Sequence, residues 1–133
     1  MTKEELIEKL NQRESLKGAN LKKMNLQGMD LSGIDLSEAD LSDANLVGAN
    51  LSRANLTNVN LQGAILIGAN LERANLTGAD LRWAKLKGAN LRNAITKDTI
   101  FDEKKAKKKK RRGEERRWQC HNLFSCWKIR LVN

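Results

Sequence analysis

The chain has 133 residues, with 25 Lys+Arg against 16 Asp+Glu and a formal net charge of +9, and it lacks proline and tyrosine. One histidine and two cysteines, both in the last 14 residues, exclude a multi-histidine metal centre and a disulfide framework. No run approaches the roughly 20 apolar residues of a membrane span. The opening Met1–Ser15 is charged throughout and lacks the apolar region of a secretory signal, so a cytoplasmic protein is expected.

Residues 1–13 predict an amphipathic helix over 2–13. Thr2 and Glu5 have the spacing of a capping box, and Leu6 and Leu10, with Ile7 beside them, form an apolar stripe. Such a helix is expected to cover the first layer of the repeats beyond it, because an open end would expose core leucines and unpaired strand edges.

A five-residue repeat fills the middle of the chain. Leu16, Leu21, Leu26, Leu31, Leu36, Leu41, Leu46, Leu51, Leu56, Leu61, Leu66, Leu71, Leu76, Leu81, Leu86 and Leu91 recur without a miss. Two residues before each next leucine, 12 of the 17 sites from 19 to 99 are alanine, which implies a narrow interior. The residue just before leucine is Asn or Asp at 13 of the 17 sites from 20 to 100, with Ile65, Lys85, Ile95 and Ile100 the exceptions. Eight of the nine glycines fall two residues after a leucine, and the register continues through Thr96 to Phe101.

A period of five suits neither regular element. At 100° per residue a helix would scatter the leucines around its axis, and in a strand every second leucine would face water. The chain must turn once per unit and bring leucine and the small residue inside, so that stacked units build a core no single unit could. Asn and Asp fit the corners because they bond nearby backbone and tolerate unusual dihedrals.

Units such as Ala44-Asn45-Leu46-Val47-Gly48 and Ala49-Asn50-Leu51-Ser52-Arg53 resemble the A(D/N)LXX signature of the pentapeptide-repeat proteins. The resemblance covers residues 14–103. It implies an all-β solenoid: a right-handed quadrilateral β-helix with four units per coil, about four and a half coils in all, behind an N-terminal capping helix. It also implies that the sixteen leucines and Phe101 form the solenoid core.

With four units per coil, residues 20 apart share a face. One face stacks Asn25, Asn45, Ile65 and Lys85 beside Gln27, Val47, Ile67 and Lys87, and its remaining outward column is Gly28, Gly48, Gly68 and Gly88. Val47, Ile65 and Ile67 thus form a candidate partner face, since an exposed apolar patch commonly marks an interaction site. A second column stacks Arg53, Arg73 and Asn93 beside Glu72 and Arg92, and is expected to be a solvated ion-pair ladder rather than an anion site. Asp30, Asp35, Glu38, Asp40 and Asp43 form an acidic run. The resemblance includes acidic, DNA-like rods bound by DNA gyrase. Residues 1–103, with 13 basic and 14 acidic side chains, are not acidic enough to make that more than a minor alternative.

Residues 104–133 carry 12 basic and 2 acidic side chains, so this tail holds the positive charge. Lys104, Lys105, Lys107, Lys108, Lys109, Lys110, Arg111 and Arg112 are candidate contacts to a polyanion. Beyond them, Leu123, Trp127 and Leu131 have helical spacing among basic residues, a composition suited to an anionic membrane surface. The tail is expected to be disordered or partly helical, and so abrupt a change of composition also fits sequence outside the functional design.

Cys120, His121 and Cys126 are three potential zinc ligands where a structural site needs four, and no side chain is placed to orient His121. No catalytic residues, cofactor or metal are expected. The preferred reading is a non-catalytic scaffold that presents flat faces to a protein partner, or to a second copy through the C-terminal end or the apolar face. The alternative is sequence-independent binding of nucleic acid or an anionic membrane by the tail.

Overall fold

The structure, a computed structural model, describes residues 1–102. It begins with α1, Lys3–Asn11. The capping box forms as expected: the Thr2 hydroxyl accepts the Glu5 N–H at 3.2 Å, and the Glu5 carboxylate accepts the Thr2 N–H at 3.2 Å. Leu6 is fully buried in the leucine cluster and Leu10 packs partly against it. Ile7 differs from the expected stripe, because it points away from the core and is 42% exposed.

From Asn20 onward, parallel bridges join residues twenty apart, from Asn20–Asp40 through Asp80–Ile100. Twenty residues therefore carry the chain once round, one pentapeptide to each side. No extended strand forms among the described residues, since each side contributes a single bridged residue before the chain turns.

The repeat is explained by where its five amides go, and Asn50–Ala54 serves as the example. The Leu51 N–H donates to the Asn70 carbonyl in the next coil at 2.7 Å, and the Arg53 N–H donates to the Glu72 carbonyl at 2.9 Å. The Ala54 N–H turns back to the Leu51 carbonyl at 3.1 Å, while the Asn50 N–H reaches the Met29 carbonyl of the previous coil at 2.9 Å. One amide is left, that of Ser52, and the Asn50 side-chain oxygen accepts it at 3.0 Å. All thirteen Asn and Asp residues at this position accept the N–H two residues on. The side chain before leucine thus completes the backbone's hydrogen bonding, the task that Asx turns perform elsewhere.

Every fifth residue from 18 to 98 has φ between 56° and 71°. This left-handed corner is where the glycines recur, because glycine meets no Cβ penalty there. At Gly63 there is a second reason: an added Cβ would strike the Asp43 side chain of the coil before it.

Inside, the sixteen leucines and Phe101 are all buried. Alanines 39 to 84 are at most 1% exposed and share the interior with Ile34 and Val59. At the two ends Ala19, Met24, Met29, Ala89 and Ala94 are only partly buried.

Candidate functional site

The bridges Asn45–Ile65 and Ile65–Lys85 place these residues in one column, as the period required. The backbone bonds from Gly48 to Ile67 and from Gly68 to Lys87 stack the neighbouring column. Val47 and Ile65 are half-buried and Ile67 is 38% exposed, so Ile67 is the outermost of the three. Ile65 has no oxygen to offer the Ile67 amide, unlike Asn45, which accepts the Val47 N–H at 3.1 Å one coil earlier. This side of the solenoid therefore gives up a corner hydrogen bond and gains aliphatic surface.

Larger apolar exposure lies near the C-terminal end of the repeats, the end expected to be open to a second copy, although none of the residues that carry it was singled out as a site in the sequence. Trp83 is 59% exposed, Ile95 52% and Ile100 48%. Ile95 and Ile100 are two of the four exceptions to the Asn/Asp rule, and that was the available signal. Trp83 occupies a left-handed corner with φ of 61°, an uncommon place for so bulky a residue. The Arg82 guanidinium lies 5.5 Å from its ring centroid and also grips Asp80 at 2.7 Å. Partial burial pushes the Asp80 carboxyl up, but the bonds from Arg82 and Gln62 outweigh it and leave the group below the ordinary carboxylate range.

The arginine column does not form the expected ladder. The ion pairs among the described residues are Lys9–Glu14, Lys17–Glu38 and Arg82–Asp80, and Glu72 is in none of them. Instead Arg13, Arg53, Arg73 and Glu72 line a hollow of about 420 Å³ together with Gly33 and Ser52. Arg13 comes from the chain just after α1 and stands in the same five-residue series as the corners, with φ of 54°. Beside it, the Ser32 hydroxyl and amide hold the Asp30 carboxyl below its ordinary value, and Arg13 adds a smaller electrostatic pull in the same direction.

Among the described residues no cluster of His, Cys, Asp and Glu could hold a metal, and no helix is long and apolar enough to cross a membrane. The candidate polyanion contacts Lys104 to Arg112, together with Cys120, His121 and Cys126, lie outside the described residues.

No curated protein matches the chain. Among solved structures, Rfr23, a pentapeptide repeat protein from the cyanobacterium Cyanothece 51142, is 42% identical over 65% of this chain and 63% of its own, with a TM-score of 0.34. HetL, involved in heterocyst differentiation regulation in Nostoc sp. strain PCC 7120, is 33% identical over 67% of this chain and 49% of its own, with a TM-score of 0.36. A further pentapeptide repeat protein from Nostoc PCC 7120 is 33% identical over 76% of this chain and 96% of its own, with a TM-score of 0.42. The chain thus spans less than two thirds of the length of the first two. The sequence model described as Pentapeptide repeats matches residues 15–53 and 54–93 in eight copies. The chain therefore belongs to the pentapeptide repeat family, whose members fold as right-handed quadrilateral β-helices and generally act as structural or interaction modules.

Proposed function

We propose that the protein is a non-catalytic interaction module: a short rod of about four and a half coils, closed at its N-terminal end by α1, that offers the face around Val47, Ile65 and Ile67 to a protein partner. The observation that carries this reading is Ile65. It replaces the residue that satisfies the corner amide, at a cost of about 0.5–1.5 kcal/mol for the hydrogen bond forgone. It also puts aliphatic surface beside the flat Gly48 and Gly68 column. Places where a sequence breaks its own folding rule are where function is expected.

The experiment is affinity capture from a lysate with the full chain and with the double variant Ile65→Asp, Ile67→Asp. Circular dichroism should be unchanged, and a specifically captured protein should be lost. Undiminished capture of the same protein by the variant would contradict the reading.

The net charge of +10 in residues 104–133 favours a second reading, in which the tail binds nucleic acid or an anionic membrane without sequence specificity. DNA-binding anisotropy across a salt series, for the full chain and for a chain ending at Glu103, tests it. Binding by the full chain alone that collapses with salt supports a phosphate contact. Binding to anionic vesicles that survives salt supports insertion of the tail's tryptophans. DNA mimicry toward gyrase is the least supported reading, because residues 1–103 are near neutral.

A further inference from the structure

The hollow along the arginine column is lined by none of the residues of the apolar face, and its chemistry is independent of the interaction-module reading. Three guanidiniums border it, from Arg13, Arg53 and Arg73, and none makes an ion pair among the described residues. Glu72 is the one carboxylate on its rim, so the hollow carries a net charge of +2.

Two local features make room and supply a donor. Gly33 belongs to the series Arg13, Gly33, Arg53, Arg73 and Asn93, and all five have φ between 54° and 66°. Arginine and asparagine adopt this corner elsewhere in the series, so the backbone conformation does not by itself call for glycine at 33. A Cβ at Gly33 would meet nothing within 4 Å, in contrast to Gly63 and Gly78, where it would collide with the coil before it. The missing side chain opens a gap in the row of long side chains between Arg13 and Arg53.

Ser52 also lines the hollow. The hydroxyls of Ser32, Ser37 and Ser42 and those of Thr57 and Thr77 are each bonded at 2.6 Å to the Asx residue two before them. The Ser52 hydroxyl makes no such bond to Asn50, which accepts only the Ser52 amide. The hollow is thus lined by a hydroxyl that makes no bond to its Asx residue and by three arginines in no ion pair among the described residues.

We infer that the hollow bounded by Arg13, Gly33, Ser52, Arg53, Glu72 and Arg73 is a binding site for a phosphate monoester. A charge of +2 matches the dianion, and guanidinium forks match the geometry of phosphate oxygens better than a lysine ammonium would. At about 420 Å³ the space exceeds a bare phosphate and falls within the usual range for small-ligand sites, which leaves room for the group esterified to it. The lining offers no aromatic face on which a nucleobase could stack.

The test is isothermal titration calorimetry on the full chain with two probes, glycerol 3-phosphate and an acetylated, amidated phosphoserine tripeptide, with succinate as the dicarboxylate control. Binding of either probe at one site per chain supports the inference, and the tighter of the two shows whether the phosphate belongs to a small molecule or to a modified protein side chain. Arg53→Ala with Arg73→Ala removes two charged donors and should weaken binding roughly a hundredfold or more while leaving the 104–133 charge intact. Gly33→Asn, which fills the gap with a residue this corner accepts at Asn93, should weaken binding without unfolding the chain. Glu72→Gln should tighten it. The inference is overturned if neither phosphate probe binds, if succinate binds as tightly, or if the double arginine variant binds as the wild type does.

Discussion

The two ends of the described repeats differ in how their leucines are enclosed. At the start, α1 lays Leu6 over the first leucines, and Leu6 and Leu16 are at most 1% exposed. At the far end of the described residues Leu91 and Phe101 are 4% and 8% exposed, and Ile95 and Ile100 are about half exposed around them. A stack of identical units buries its leucines only between neighbours, so each terminal unit needs something that is not a repeat. The N-terminal helix, on the reading proposed above, is such an element. The last coil instead departs from the repeat itself: Ile95, Ile100 and Thr99 stand where Asn, Asp and alanine normally would.

The contrast between interior and ends predicts a gradient in what substitutions cost. Leu56→Ala, at a fully buried position in mid-rod, should destabilise by about 2–5 kcal/mol in denaturant unfolding, because rigid coils on both sides prevent collapse of the cavity. Leu91→Ala should cost clearly less, since Leu91, at 4% exposed, is less completely enclosed than Leu56. Equal losses would mean that the last coil is as tightly enclosed as the middle.

Leu6→Ala should cost about 2–4 kcal/mol. The lost hydrogen-exchange protection should fall mainly on the amides of Leu16, Gly18 and Leu21, which bond to the second coil. A loss spread evenly along the rod would argue against a local closing role for α1.

A smaller effect concerns pH. The hydroxyl and amide of Ser37 hold the Asp35 carboxyl below its ordinary value, and those of Ser42 do the same for Asp40. A carboxyl whose folded pKa is depressed contributes stability that is fully present above the unfolded value of about 3.9 and is lost as pH falls through the folded value. Unfolding midpoints should therefore drop below about pH 4. Ser37→Ala with Ser42→Ala should flatten that acid limb while leaving its shape near neutrality unchanged.

The leucines and alanines are readable in the sequence because a period of five fits neither a helix nor a strand, and the structure buries every leucine in that register. The Asn/Asp column was readable as a corner preference, although its task of accepting one specific amide became visible only when all five amides of a unit were traced. Ile7 was misplaced because a short apolar stretch does not show which two residues share a face. Column order puts Glu72 beside Arg53 and Arg73 and so suggests a ladder, but sequence spacing carries no information on whether side-chain tips meet. Arg13 was missed altogether: it joins the column only through the turn after α1.

One column contains both kinds of corner. Asn75 and Ile95 are bridged one above the other, and Asn75 accepts the Thr77 amide at 3.1 Å while Ile95 has no oxygen for that of Lys97. Denaturant unfolding of Asn75→Ile and Ile95→Asn tests directly whether the Asn/Asp column exists to satisfy the corner amide. Asn75→Ile should lower stability by about 1–3 kcal/mol by leaving a half-buried donor unmet, and Ile95→Asn should raise it by about 0.5–1.5 kcal/mol. If Asn75→Ile is neutral, or if Ile95→Asn is destabilising, the column is there for some other reason, and the proposal that Ile65 forgoes a hydrogen bond for the sake of contact falls with it.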